Sequence, residues 1–382
     1  MKKRVAVLGA TGSIGKSALD VLRNSKDDFE AVLLSSHTNR QGLLDLAEEF
    51  PRAALALAGP DGGGTEGAPG IRYRGQAGLL RALSECGMDL AVNGIAGAAG
   101  LAPSLAVLEA GADLALANKE TMVMASSLAR KKAAENKARI FPVDSEHAAI
   151  HALLRSQGRE NLEELLLTAS GGPFRGWSLE EMAAVTPAQA LAHPTWSMGP
   201  KITVDSSTMA NKGLEVIEAA ALFSLDVARV KVVIHPQSIV HSMIRLRDGA
   251  VYAQLSKPDM RLPIHQALYG DDCVPCPFGR LDFDGLTLSF EKPDFERFPM
   301  LALAYQAGER GGLCPAAYNG ANEAAVAAFL GGSVPFLAIP DIVAYVLSRD
   351  WKGGEFDLES VLEADRSARL LAEGYIAQKW EK

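Results

Sequence analysis

The sequence predicts an α/β protein: an N-terminal doubly wound parallel sheet, a central α+β catalytic domain and a C-terminal helical bundle. Three observations carry this. Short apolar, β-branched runs alternate strictly with helical patterns over residues 1–145, which is the signature of a parallel sheet wrapped by helices. Beyond 145, neighbouring strand patterns come with separate helices. From about 296 onward the periodicity is helical.

Taken in order, Arg4–Leu8 is a compact strand run, and after a glycine turn Ala18, Leu19, Val21 and Leu22 fit one helix face. Strand patterns follow at Ala31–Leu34, Ala53–Ala58, Leu90–Asn93, Leu114–Ala117 and Ile140–Val143. Helical segments lie at Gln41–Phe50, Gly78–Cys86, Ala102–Ala110 and Thr121–Asn136. Asp61–Gly70 is glycine-rich and reads as a surface loop. The second region offers strands at Leu165–Thr168, Val230–His235, Ser242–Arg245 and Val251–Leu255. Its helical successors are Met300–Glu309, Gly320–Leu330, Ile339–Ser348 and Leu358–Lys382. The expected division is 1–145, 146–275 with a lid near 190–200, a linker over 276–295, and 296–382.

Composition narrows the function class. Of 382 residues, 48% are hydrophobic and 22% charged, a globular balance that argues against disorder. A net charge of −8 disfavours a nucleic-acid binder working through a broad basic face. Four cysteines are too few for a disulfide scaffold, and Cys273-Val-Pro-Cys276 is a lone CxxC that reads as structural. The N-terminal apolar run stops at Gly9, too short for a signal peptide, and charge or glycine interrupts every long apolar stretch. A cytoplasmic protein with no membrane or nucleic-acid partner is expected.

The turn Gly9-Ala-Thr-Gly12-Ser-Ile-Gly15 lies between a strand and a helix, the setting in which glycines let a pyrophosphate approach backbone N–H groups. Its G-x-x-G-x-x-G spacing is looser than the strict dinucleotide fingerprint, and an ordinary strand–helix turn is the alternative. The first unit is therefore read as Rossmann-like. After the second strand, Ser35-Ser36-His37-Thr38-Asn39-Arg40 offers donors and a cation but no carboxylate, which favours NADPH over NADH. Arg40 either meets the 2′-phosphate or is a solvated helix-start residue.

Acidic residues gather at Asp144-Ser145-Glu146-His147. If the strand stays extended, Asp144 and Glu146 point to one side. On a helix, Lys212 and Glu215 share a face. Two carboxylates about 4 Å apart repel by roughly 4 kcal/mol at an intermediate dielectric, a cost that a bound cation offsets. An all-oxygen set suits Mg²⁺ or Mn²⁺. The structural alternative makes Asp144 an N-cap and Glu146 a first-turn helix residue. His147 and His151 lack the HExxH pattern and read as ordinary helix residues.

Small residues in Ala169-Ser170-Gly171-Gly172-Pro173 expose N–H groups and a hydroxyl, as an anion nest does. Ser206-Ser207-Thr208, Asn211 and Lys212 add hydroxyl, amide and ammonium donors that suit a phosphate monoester, though helix capping by the hydroxyls is the alternative. Between them, prolines and a glycine bracket His193, Trp196 and Met198 in a segment that is neither regular helix nor strand: either a lid or a loop anchored by its Trp.

With these segments in view the whole chain resembles the 1-deoxy-D-xylulose 5-phosphate reductoisomerase family, through LGATGSIG, GAAGL, LANKE, VDSEH, SGGPF, HPTWSMGPKITVDSSTMANKGLE, HPQSIVHSMI, KPDMRLPI and NGANEAAVAAF. The resemblance implies a homodimer acting on a small phosphorylated sugar with NADPH and a divalent metal. Position by position it implies nucleotide contacts at Thr11, Gly12, Ser13, Ile14, Asn118, Glu120 and Gly199. Metal ligands fall at Asp144, Glu146 and Glu215. Substrate contacts fall at Lys119, Ser145, Glu146, Ser170, His193, Ser206, Asn211, Lys212 and Glu215, with Lys119, Glu146, His193 and Glu215 catalytic. Departures are local. His37-Thr38-Asn39 stands where the family often has Gly, then Lys or Ser, then Asn, and these three are the expected contacts after the second strand. Thr195 replaces a common Asn, and NGANE a common NAANE.

The implied reaction joins a skeletal rearrangement, by retro-aldol/aldol or 1,2-shift, to a reduction by NADPH. A simple NADP-dependent dehydrogenase of a phosphorylated substrate is the alternative, but it has no need of three carboxylates beside a phosphate pocket. A nucleotide-sensing regulator has no use for Lys212 and Glu215 with Asp144 and Glu146.

Overall fold

A computed structural model describes residues 1–59, 70–196, 198–352 and 356–380. Asp61–Gly70, read as a loop, lies outside the described residues except for Gly70. The chain forms two compact units: Met1–Thr121 with Ser127–Ala148 and Asp259–Gly279, and Met122–Ser126 with Ala149–Pro258 and Arg280–Lys382.

The first unit is built on seven parallel strands: β1 (Lys3–Leu8), β2 (Phe29–Ser36), β3 (Ala54–Leu57), β4 (Tyr73–Arg74), β5 (Leu90–Asn93), β6 (Asp113–Leu116) and β7 (Ile140–Pro142). Their order is β4-β3-β2-β1-β5-β6-β7. Val5, Ala6, Val7 and Leu8 are all buried, as expected for a central parallel strand covered on both faces. Chain order runs outward in both directions from β1, so the topological switch falls between β1 and β5, where such sheets bind ligands. Beyond the sequence expectation, Tyr73–Arg74 adds a two-residue edge strand, too short to leave a periodic signal.

The helix Arg261–Tyr269 also belongs to this unit. Ile264, Ala267 and Leu268 enter its core. Arg261 pairs with Asp20 at 2.8 Å, and Lys3 Nζ donates to the Leu268 carbonyl at 3.0 Å. A division by contiguous stretches of sequence does not express this return of the chain.

The second unit carries a four-stranded sheet, β8 (Leu162–Ala169), β9 (Val230–Ile234), β10 (Val240–Leu246) and β11 (Val251–Leu255), ordered β11-β10-β8-β9. β8 and β9 run parallel, and β10 is antiparallel to both β8 and β11. Part of the expected linker extends this sheet: Ile234 and Glu291 exchange both backbone bonds at 2.9 Å. Four helices complete the unit, Pro299–Arg310, Cys314–Leu330, Ala338–Leu347 and Leu358–Lys379. Gly213 lets the helix Ala210–Leu222 approach Pro299–Arg310, because a β-carbon there would sit 2.5 Å from Ala304 Cβ.

The extended geometry expected for Asp144 and Glu146 is corrected by the structure. β7 ends at Pro142 and a helix opens at Ser145, so Glu146 sits in the first helical turn and strand alternation does not relate the pair.

Candidate active site

In the first unit the switch point is lined by backbone. Gly9 has φ +76°, and a β-carbon on it would lie 3.0 Å from the Gly94 carbonyl oxygen at the end of β5. A β-carbon on Gly15 would fall 2.2 Å from the Gly9 carbonyl oxygen, so only glycine lets the helix Ser13–Asn24 start this close to β1. Gly12 caps that helix with backbone alone, leaving a helix N-terminus suited to an anion. Ile14 lies against Gly94, and Thr11 Oγ1 shares a 2.8 Å hydrogen bond with Ser36 Oγ at the end of β2. His37, Thr38 and Asn39 are exposed beyond it. Asn39 has a structural task as well, accepting from the Gly42 N–H at 3.0 Å as the cap of the next helix.

Asn118 and Glu120 are both buried. Asn118 caps the helix Lys119–Glu135, accepting from the Thr121 N–H at 3.1 Å and its hydroxyl at 2.6 Å. Its Nδ2 donates toward the Ile95 and Gly97 carbonyls at 2.9 Å and Glu120 Oε2 at 2.8 Å. This amide ties the loop after β5 to the helix that begins with Lys119.

Lys119 Nζ lies 2.7 Å from Asp144 Oδ2, and His147 Nδ1 is 3.7 Å from the same oxygen. Burial pushes the Asp144 carboxyl up, but the Lys119 charge and then His147 pull it well below the usual carboxylate range. It is a carboxylate at neutral pH. Ser145 Oγ donates to Glu146 Oε2 at 2.5 Å. The first unit thus presents two carboxylates and an ammonium from the adjacent strand–helix junctions that follow β6 and β7. Read in the sequence as an ordinary helix residue, His147 is fully buried beside Asp144; its i, i+3 offset was the available signal.

The second unit assembles the donors. Ser170 follows β8, and its Oγ lies 3.3 Å from His193 Nε2. His193 Nδ1 receives the backbone N–H groups of Thr195 at 3.1 Å and Trp196 at 2.9 Å. Two converging N–H donors require Nδ1 to be unprotonated, which puts the proton of the neutral ring on Nε2, facing Ser170. Burial lowers the His193 pKa, in keeping with that neutral form. Trp196 is half-buried, with its ring 6.4 Å from that of His241.

Gly199 caps the helix Pro200–Ser207, and a β-carbon there would meet nothing within 4 Å. Ser207 and Thr208 are not N-caps: their hydroxyls donate back to the Val204 carbonyl at 2.7 and 3.3 Å, and Met209 stands at the start of the next helix. Ser206, by contrast, is partly exposed. Met209 then takes a left-handed conformation, φ +63°, that turns the chain into the helix Ala210–Leu222. On that helix Asn211 Nδ2 donates to Glu215 Oε1 at 2.6 Å, and Lys212 Nζ pairs with Glu215 Oε2. Lys212 and Glu215 are both almost fully buried. The i, i+3 offset brings the two together on one helix face.

Sequence reasoning passed over Asp205 and Asn322, whose side chains meet at 2.8 Å, and the close approach at Gly172. The signal for Asp205 was its i+4 offset from Lys201. The cysteines carry no disulfide: all four are free. Among the described residues no helix is long and apolar enough to cross a membrane.

Comparison with known proteins places these features. Residues 5–126 match the family model described as 1-deoxy-D-xylulose 5-phosphate reductoisomerase. Residues 140–223 and 255–371 match the two C-terminal domain models of the same enzyme. The 1-deoxy-D-xylulose 5-phosphate reductoisomerase of Treponema pallidum (strain Nichols) is 46% identical, covering 100% of this chain and 99% of that protein. The Clostridium perfringens enzyme is 43% identical, covering 99% and 100%. The solved Zymomonas mobilis reductoisomerase in complex with NADPH superposes with a TM-score of 0.88 at 39% identity, covering 98% of this chain and 99% of that one. A DOX-P reductoisomerase solved with NADPH, fosmidomycin and magnesium gives 0.89 at 38% identity, covering 98% of each chain.

Proposed function

The chain belongs to the 1-deoxy-D-xylulose 5-phosphate reductoisomerase family, and from that premise we propose how its residues divide the work. It is an NADPH-dependent, divalent-metal-dependent oxidoreductase and isomerase that converts 1-deoxy-D-xylulose 5-phosphate to 2-C-methyl-D-erythritol 4-phosphate.

In this reading NADPH is bound chiefly by the doubly wound domain: Thr11, Gly12, Ser13 and Ile14 cradle the pyrophosphate, His37, Thr38 and Asn39 face the 2′-phosphate, and Asn118 and Glu120 add contacts, with Gly199 contributed by the second unit. The central domain takes metal and substrate, and the C-terminal helices support it. Asp144, Glu146 and Glu215 hold the cation. Their donor chemistry fits, since all three offer carboxylate oxygen and Asp144 is held ionised. The same oxygen set accommodates Mn²⁺ as well as Mg²⁺. When bound, the cation supplies Lewis-acid polarisation of a carbonyl and NADPH supplies the hydride.

The chain's own groups do the rest. Ser170, Ser206, Asn211 and Lys212 take the substrate phosphate, so that remote binding energy orients the reacting end. Lys119 and Ser145 donate to substrate oxygens, with the Lys119 ammonium offsetting negative charge as a hydroxyl proton leaves. His193 presents its Nε2 proton beside Ser170, while its Nδ1 gathers the following backbone into a lid that excludes water. The observation that carries this assignment is the cluster of half-buried Asn211 with buried Lys212 and Glu215, two phosphate-type donors around one carboxylate.

We place the enzyme in the cytoplasm, with its cysteines reduced, and as a homodimer. The edge strand β11 supports the dimer, since Val251 and Tyr252 on it are exposed apolar residues beside an unpaired ladder. NADPH oxidation in the presence of 1-deoxy-D-xylulose 5-phosphate, with and without Mg²⁺ or Mn²⁺, tests the metal assignment. Turnover undiminished in EDTA defeats it.

A further inference from the structure

Behind Ser206 the second unit holds a set of charged and amide groups that the reaction does not use. Asp205, the preceding residue, is 1% exposed. Asn322 Nδ2 donates to its Oδ1 at 2.8 Å, and Lys201, one turn earlier on the same helix, places Nζ 2.9 Å from its Oδ2. Asn322 is fully buried on the helix Cys314–Leu330. Its neighbour Glu323 accepts from Asn319 Nδ2 at 2.9 Å and from Arg369 at 2.8 Å, and Arg369 also pairs with Asp365 at 2.7 Å. Burial raises the Glu323 carboxyl, but the charges of Lys201 and Arg369 bring it below its ordinary value. The helices Pro200–Ser207, Cys314–Leu330 and Leu358–Lys379 are cross-linked by polar groups where apolar packing would cost less desolvation.

A buried ion pair is weak evidence for stability but a strong geometric constraint, because its partners tolerate little displacement before a charge is left unpaired. The helix held in this way is capped by Gly199, where the lid ends, and finishes at Ser207, one residue past Ser206. We propose that Asp205 is a positioning residue for the phosphate end of the site: through Asn322 and Lys201 it fixes Ser206 and the end of the lid on the C-terminal helices. The inference rests on the reading of Ser206 as a phosphate ligand.

The test is a reciprocal exchange in the full-length enzyme with NADPH and Mg²⁺. Asp205→Asn turns an amide toward the Lys201 ammonium, and Asn322→Asp sets two carboxylates face to face. Each should raise KM for 1-deoxy-D-xylulose 5-phosphate roughly ten- to hundred-fold, the scale of a displacement of about 1 Å, and raise KM for NADPH far less, because the cofactor keeps its contacts in the first unit. The double variant D205N/N322D restores one donor opposite one acceptor and should recover most of the loss. A purely structural pair would lower Tm in the single variants without this split in KM. Unchanged substrate KM in the single variants, or no recovery in the double variant, overturns the proposal. Where the single variants do not fold, Lys201→Gln, at a partly exposed position, carries the same test: a raised substrate KM supports the positioning role and an unchanged one overturns it. Ser206→Ala separates the premise from the inference. If it leaves substrate KM unchanged, the phosphate reading fails; if it raises KM while Asp205→Asn does not, only the positioning role fails.

Discussion

Gly172 lies so close to Ser206 that a β-carbon on it would sit 2.7 Å from the Ser206 carbonyl oxygen. Its φ of +70° is also one that L side chains rarely adopt. The loop carrying Ser170 and the helix carrying Ser206 can therefore meet only where residue 172 has no side chain. Gly172→Ala should cost about 1–3 kcal/mol in backbone strain alone and separate the two hydroxyls. The expected outcome is a lower Tm together with a raised KM for 1-deoxy-D-xylulose 5-phosphate. An alanine variant with unaltered substrate KM would show that the close approach serves packing only.

His193 gives the site a pH dependence with a definite sign. Burial lowers its folded pKa beneath the ordinary value near 6.5. Below about 6.5 the unfolded chain therefore takes up a proton that the folded chain resists. Stability from this group is present above that pH and is lost as pH falls through the lowered folded value. Protonation at Nδ1 would also expel the N–H groups of Thr195 and Trp196. Substrate KM should rise as pH falls below about 6.5, and His193→Gln should flatten that limb. The same acid limb persisting in His193→Gln would assign it to another group.

Much of this was legible in the sequence because parallel strands covered on both faces are continuous apolar runs. Val5–Leu8, Leu90–Asn93 and Leu114–Leu116 announce themselves in that way, and the glycines between strand and helix mark the switch point. Other features lack a local signal. The helix Arg261–Tyr269 looks like its neighbours in sequence, and only tertiary contact with Asp20 and Lys3 assigns it to the first unit. Strand alternation predicts Asp144 and Glu146 on one side, yet the strand ends at Pro142 and Glu146 lies in the first turn of the helix beginning at Ser145. For Lys212 and Glu215 the helical period was enough. Asn322, the amide partner of Asp205, lies 117 residues away, beyond any pattern of spacing.

Cofactor choice follows from the end of β2. Ser36 is bonded to Thr11, His37 and Thr38 are exposed, and no carboxylate stands there to accept from a ribose 2′-OH or repel a 2′-phosphate. NADPH should exceed NADH in kcat/KM, and His37→Asp should narrow the gap by repelling the extra phosphate. Equal kcat/KM for the two cofactors in the unmodified enzyme would remove the basis for this assignment.

Lys212 is buried against Glu215, so its loss should act on both folding and function. Removing one member of a buried pair costs about 3–5 kcal/mol, because the remaining charge is left uncompensated. The charge-assisted bond to phosphate is worth roughly 1.5–3 kcal/mol. Lys212→Ala should lower Tm and reduce substrate kcat/KM at least about ten-fold, with NADPH affinity retained. A less stable variant with normal substrate kinetics would make Lys212 a structural partner of Glu215 and nothing more.

Glu215 accepts from Asn211 and pairs with Lys212, and both of those donors are assigned to the phosphate. A carboxylate that turns to a cation releases its former donors, so metal and phosphate should bind with positive coupling. Such coupling is reciprocal: Mg²⁺ should tighten phosphate binding by the factor by which phosphate tightens Mg²⁺. Inorganic phosphate, titrated calorimetrically with Mg²⁺ and with EDTA, measures that factor without turnover. Glu215→Gln preserves size and keeps an acceptor for Asn211, so the fold should persist at a lowered Tm, since the buried Lys212 loses its counter-charge. It weakens the hold on the cation and relieves Lys212 of its counter-charge. Rearrangement and NADPH oxidation on the normal substrate should both be lost, and phosphate should bind this variant equally with and without Mg²⁺. Reduction of a supplied aldehyde should partly survive, since hydride delivery depends less on chelation of the ketol. Mg²⁺-linked phosphate binding that persists in Glu215→Gln would remove Glu215 from the coupling and from the ligand set.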